Sequence, residues 1–322
     1  MGALAAGLFL FVSLFAILPA RAETPPPAEI PNNFIDNTHD VLSNSFYWPL
    51  VWFDHFFMSE REEYEINQSF FRVINNYTWI NGKGFSFKPK LRMKIRLKAF
   101  QRRLSIIAFG ENEDETVQTF SAARQAQIDA GITPVEDRTR VGVRYAVWEW
   151  LDSRFDADIV VSSKLVPEPA LRARQNLYKS DRTLSRFTVT GFWEKDLRFG
   201  QTTQIDFAHQ FKKRWAYDIT LRGKQSQVIP AIVWDHSINT NYQLSKKEAL
   251  ALHLQASGPT RPHAVVQNYH TSVVYRRNFY RPWMFGEVEP GVDWPYLLNH
   301  RQPVWSTVFR LELQFKTQVD NL

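Results

Sequence analysis

Two short runs carry the residue types that nucleophilic catalysis uses. His270-Thr271-Ser272 sets a base and a hydroxyl two positions apart, which on a strand places both on one face. Asp235-His236-Ser237 holds the same types as immediate neighbours. Adjacent strand residues point to opposite faces, so that run cannot pair a base with a nucleophile. The eight histidines show no HExxH or paired spacing, and neither a metal nor a cofactor is expected. The absence of cysteine removes disulfides, zinc knuckles, iron–sulfur clusters and thiol catalysis together. Gly82 and Gly84 suit a turn, not a phosphate cradle. No catalytic residue is expected. What the chain has in quantity is charge at regular spacing.

That spacing is two. In 85–97, Phe85, Phe87, Leu91, Met93, Ile95 and Leu97 share one face, while Ser86, Lys88, Lys90, Arg92, Lys94 and Arg96 share the other. A helix would mix the two groups and a strand separates them. Val141, Val143, Tyr145 and Val147 likewise oppose Arg138, Arg140 and Arg144. Near the end, Trp305, Thr307, Phe309, Leu311, Leu313 and Phe315 oppose Ser306, Arg310, Glu312 and Gln314. Similar alternation surrounds Asp206, Asp218 and Asp235. The pattern predicts about fourteen strands (twelve to sixteen), near 68–80, 84–97, 103–111, 138–150, 155–166, 170–179, 184–195, 200–211, 215–223, 230–243, 248–257, 267–279, 283–293 and 304–315.

Residues 1–22 read as a signal peptide: an apolar run from Ala3 to Leu18, then Ala20-Arg21-Ala22 as a cleavage pattern. Residues 23–35 are a proline-rich linker. Within 36–67, Leu42, Phe46, Leu50, Phe53 and Phe57 recur at spacings of 4, 4, 3 and 4, an apolar helical stripe kinked at Pro49. This short helix either docks on the end of the following domain or enters it as a gate. Residues 68–322 contain no linker and form one β domain.

An ordinary half-buried sheet also alternates, so the period alone does not say what the apolar face meets. Many of these strands are longer than the usual five or six residues of a globular strand. Their polar faces carry full charges, which need water. Trp79, Trp148, Trp150, Trp193, Trp215, Trp283, Trp294 and Trp305 fall near strand ends, as in interfacial girdles. Mean hydropathy of −0.35 excludes a polytopic helical membrane protein but not a barrel, in which alternate residues face lipid. The fold class is therefore an all-β, antiparallel, up-and-down transmembrane barrel. The formal charge of +6 does not indicate nucleic acid, because the bases lie on the polar phase of strands.

Over roughly 68–315 the chain resembles the Gram-negative outer-membrane β-barrel proteins, including uncharacterised members through Gly286–Trp294 and Tyr275–Tyr280. Its last strand, Val308–Phe315, is similar to the alternating, Phe-ended signal read by that family's assembly machinery, although Lys316–Leu322 follow it here. The resemblance implies an outer-membrane location, lipid and lipopolysaccharide outside, short turns and both chain ends on the periplasmic side, and assembly by the barrel machinery.

With the apolar face outward, the lumen receives Lys88, Lys90, Arg92, Lys94, Arg96, Arg138, Arg140, Arg144, Arg172 and Arg174 from one wall. The other wall supplies Asp206, Asp218, Asp235, Glu287, Glu289, Arg310 and Glu312. A basic wall facing a mixed-to-acidic one implies passive, porin-like passage of small hydrophilic solutes. Two alternatives stand beside it. One is a non-conducting structural or assembly barrel that partners a periplasmic protein through the 36–57 helix. The other is an enzyme like the outer-membrane phospholipases, which use a His-x-Ser pair. Here His270 and Ser272 fall on the lumenal phase, and Val273-Val274 stands where that family has Asn-Gly.

Overall fold

The computed structural model describes residue 56 and residues 69–97, 103–110, 139–150, 152–162, 165–229, 231–261, 264–281, 283–297 and 300–317. The expected signal peptide, linker and helical stripe (Leu42, Phe46, Leu50, Phe53, Phe57) lie outside these residues, as does Arg138. Among the described residues, fourteen strands form a closed wall. They are β1 (Ser69–Ile80), β2 (Gly84–Arg96), β3 (Leu104–Gly110), β4 (Thr139–Trp150), β5 (Ser153–Ser162), β6 (Pro167–Lys179) and β7 (Thr183–Glu194). There follow β8 (Arg198–Lys212), β9 (Trp215–Ser226), β10 (Val233–Ser245), β11 (Glu248–Pro259), β12 (Asn268–Asn278) and β13 (Met284–Leu297). A two-residue extension, β14 (His300–Arg301), pairs only with the tip of β13 and leads into the last wall strand, β15 (Val304–Thr317).

Each wall strand pairs antiparallel with its sequence neighbours, and β15 closes the circle on β1 with Ser69 opposite Thr317 and Val73 opposite Leu313. Closure leaves no edge with unpaired backbone groups, the condition for a sheet in hydrocarbon. The strands run long because neither face has to end against a globular core. At the end where the barrel's chain enters and leaves, most connections are tight, such as 151–152, 213–214 and 246–247. The other end carries 111–138, 227–232 and 260–267. Two short hairpins also lie at this end, after β1 and after β7, and the first uses Gly82 and Gly84, at φ 79° and 81°.

Alternation decides which face is which. On β2, Phe87, Leu91 and Ile95 are exposed while Lys94 is buried, and on β15, Phe309 and Phe315 are exposed while Glu312 is buried. In a closed barrel the exposed apolar face is the outer one. It carries two aromatic belts. At the short-turn rim Trp283 stacks on Phe315 (centroids 5.3 Å apart) and Trp215 lies 4.5 Å from Tyr242. Toward the loop rim Tyr77 lies 4.7 Å from Phe87, near Trp305. Trp305 and Phe315 are ten residues apart on one strand. At about 3.3 Å per residue and a tilt near 40°, that separation spans about 25 Å of height, the thickness of a lipid-facing band.

Four register shifts interrupt the ladder: between Ala146 and Trp148, Asn176 and Tyr178, Gln210 and Lys212, and Gln243 and Ser245. All four fall on strands running toward the short-turn rim, just before it.

Candidate functional site

The charges that the sequence singles out share the inner face. Register across β1 and β2 sets Asn76 opposite Lys88, Ile74 opposite Lys90, Arg72 opposite Arg92 and Phe70 opposite Lys94. Arg96 continues the row opposite Ser105 of β3. Arg72 and Lys94 are buried at the short-turn half, and Lys88 is exposed at the loop half. These two strands therefore contribute six bases and no acid to the interior.

The next wall is paired. Arg144 grips Asp158 through two bonds of 2.7 Å. Arg154 donates to Asp156 at 2.8 Å, and Arg174 stands 3.8 Å from the same carboxylate. Arg140 lies 3.0 Å from Glu168 and 3.6 Å from Glu194. Arg172 donates to Thr190 at 3.3 Å. The sequence reading made this wall basic, whereas the structure interleaves Asp156, Asp158 and Glu168. The signal was available: Arg154, Asp156 and Asp158 alternate with Phe155, Ala157 and Ile159. The expected strand 155–166 begins two residues after the observed one and so leaves out Arg154, while Asp156 and Asp158 fall within it on the inward phase.

Across β8 to β10 the acids meet mostly neutral donors. Asp206 accepts from Gln204 at 2.8 Å and Thr220 at 3.0 Å. Asp218 accepts from Asn239 at 3.3 Å and Asn241 at 3.4 Å. Asp235 holds Arg222 by two bonds of 2.9 Å. Toward the short turns this quadrant is lined by small residues that water does not reach: Ala208, Ala216 and Ala249 are 1%, 2% and 0% exposed. Phe56 seats itself there against Ala249, meeting Phe285 edge-on at 5.5 Å and lying 5.9 Å from the Arg276 guanidinium. No sequence signal marked Phe56 apart from Phe57 beside it.

The closing strands hold the densest network. Glu312 accepts from Arg72 at 2.5 Å and lies 2.8 Å from Arg276, both buried. Arg276 donates to Glu287 at 2.9 Å, Glu287 also pairs with Arg310, and Arg310 reaches Glu289 at 3.4 Å. Such a chain of ion pairs stands only if each member keeps its partner, because an isolated charge there has no water to replace it. The hydroxyl of Ser272 donates to Glu289 at 2.8 Å, and His270 Nδ1 faces Asp293 at 3.0 Å. The two residues share the inner face, as their phase requires, yet Ser272 is committed to a carboxylate and no hydrogen bond joins it to His270. That is not a base–nucleophile pair.

No protein-family model matches the chain, and no curated protein sequence does. Among solved structures, it is similar to the anion-selective porin from Comamonas acidovorans, at 8% identity and a TM-score of 0.45, covering 77% of this chain and 98% of that one. It is similar to OmpT lacking loop L8, an outer-membrane protein of Vibrio cholerae, at 8% identity and a TM-score of 0.46, with 77% and 98% covered. A third is the KdgM porin in complex with disordered oligogalacturonate, at 7% identity and a TM-score of 0.39, with 77% and 99% covered.

Proposed function

We propose that this chain is an outer-membrane barrel through which small hydrophilic solutes pass passively, anions more readily than cations. The observation that carries the reading is the six-base row of β1 and β2, Arg72, Lys88, Lys90, Arg92, Lys94 and Arg96, turned to the interior with no acid among them. Glu312 of β15 holds Arg72 at one end of the row, and an excess of bases over acids on one wall sets a field across the lumen that favours anion entry. The barrel takes no part in bond making, lipid and lipopolysaccharide surround it, and the barrel-assembly machinery inserts it. Planar-bilayer recording of the purified full chain tests this. The wild type conducts, with a reversal potential on the anion side in a salt gradient. The Arg92→Glu/Arg140→Glu double variant moves that potential toward cations. Absence of conductance, or a potential unmoved by the charge reversal, overturns the reading.

Phe56 favours a second element in the same mechanism: we propose that its ring narrows the short-turn mouth. An aromatic ring from outside the wall occupies a dry, alanine-lined quadrant of an otherwise ionic interior. The chain has no native cysteine, so a Phe56→Cys/Ala249→Cys double variant can be linked by a disulfide or a short bis-thiol reagent without side reactions. Linking lowers conductance and reduction restores it. Equal conductance before and after reduction rules out a gate and leaves Phe56 a structural anchor, through which a periplasmic protein could be held.

A further inference from the structure

On the inner face of β10 to β13 a group of side chains presents acceptor atoms with nothing to accept from. His253 Nδ1 bonds to Asn239 Oδ1, and the amide nitrogen of Asn239 is turned to Asp218 at 3.3 Å. A carboxylate only accepts, so the Asn239 oxygen must accept from His253, and the imidazole proton sits on Nδ1. His270 is fixed the same way by Asp293 at 3.0 Å, an oxygen that also accepts from Asn268 at 2.8 Å. His253 therefore turns a bare Nε2 lone pair to its surroundings, and the Nε2 of His270 is the ring nitrogen that Asp293 leaves unused. His253 Nε2 is buried without a hydrogen-bond partner, and so are Gln255 Oε1 and Asn268 Oδ1 beside it. Register brings them together: Gln255 is opposite His270, Ser257 opposite Asn268, and His270 opposite Asp293. Gly291 leaves room for His270, since a Cβ there would lie 3.3 Å from its ring.

Unpartnered lone pairs in a wall otherwise rich in guanidinium groups fit a cation, and imidazole nitrogen selects a first-row transition ion over magnesium or calcium. The ring centroids of His253 and His270 are 5.6 Å apart. Two imidazoles sharing one ion through N–metal bonds of about 2.0–2.1 Å place their centroids about 5–6 Å apart. The oxygens of Asn239 and Asp293 on the two Nδ1 atoms are the outer partners that metal-bound histidines generally have. No group of three or more His, Asp or Glu is arranged to hold a metal among the described residues. The site is thus a two-imidazole one, completed by an amide oxygen and water.

We propose that His253 and His270 form a lumenal site for one divalent transition-metal ion. The proposal stands whether or not the barrel conducts. Ni2+ or Zn2+ is titrated calorimetrically into the untagged, metal-stripped full chain in detergent, with the folded state of each variant checked by its heat-modifiable electrophoretic mobility. The wild type is expected to bind one ion and to give no signal with Mg2+. His253→Gln and His270→Gln each weaken binding by at least about tenfold, and Asp293→Asn, which keeps both ligands, by about ten- to a hundredfold. His236→Gln, on the outer face, leaves it unchanged. Absence of binding by the wild type, or affinities of the two histidine variants within about twofold of wild type, overturns the proposal. Cu2+ bound to the wild type supplies a readout independent of any variant. Two nitrogen ligands in its electron paramagnetic resonance spectrum support the site, and one or none overturns it.

Discussion

The inner faces of β4–β6 and β11–β13 both carry charged and polar side chains in dense register, yet they are chemically opposite. On β4–β6 each acid is met by a guanidinium: Asp158 by Arg144, Asp156 by Arg154 and Arg174, Glu168 by Arg140. On β11–β13 the link between Asp293 and its neighbours runs through imidazole and amide, and lone pairs remain over. A planar fork such as Arg144 meets both oxygens of its carboxylate at once and commits the pair to each other. An imidazole that gives its one proton to an oxygen keeps a second nitrogen for something else. The first arrangement makes a wall; the second makes a place to bind.

The same kind of substitution in each region should break this contrast by different amounts. Asp158→Asn leaves Arg144 buried without its counter-charge and is expected to destabilise the barrel by about 3–5 kcal/mol. The shift of the midpoint for loss of heat-modifiable mobility in urea reads that loss. Asp293→Asn keeps one accepting oxygen for Asn268 and His270 and removes the carboxylate charge, and the expected loss is about 1–3 kcal/mol in the same assay. Equal losses would mean that His270 is held as a charged partner and that the two regions are alike. The smallest effect belongs to Glu149→Ala. Its side chain is 60% exposed and 3.7 Å from Arg154. An ion pair of that kind contributes about 0–1 kcal/mol. A larger loss would show that Glu149 is part of the Asp156 network.

The barrel was legible because lipid and water impose a period that any single strand displays. Phe309, Leu311 and Leu313 against Arg310 and Glu312 need no partner strand to be read, and fourteen strands were expected where fourteen are found. The positions of Lys88 through Arg96 on the inner face follow from the same parity. What could not be read was pairing between strands. His253 and His270 are seventeen residues apart and match no metal-binding spacing; the hairpin register of β11 and β12 brings them together. Asp156 and Asp158 could have been assigned by phase, but that Arg144 and Arg154 consume them is a matter of reach across the sheet. Phe56 escaped for a different reason: a ring seated in an alanine quadrant is specified by the quadrant, whose strands β8, β9 and β11 lie far along the sequence and leave no trace beside the residue.

The extra residues at the four register shifts are Val147, Leu177, Phe211 and Leu244, and all four are exposed and apolar. A bulge adds a side chain without lengthening the partner strand, so one rim gains a skirt of hydrocarbon that the opposite rim lacks. Such a skirt makes vertical displacement unequal in the two directions. Displacement by a few ångströms toward the short-turn side would drag Val147, Leu177, Phe211 and Leu244 into headgroups, whereas displacement the other way only carries them deeper into hydrocarbon. The molecule should therefore keep its depth from the short-turn surface and let the other surface absorb differences in bilayer thickness.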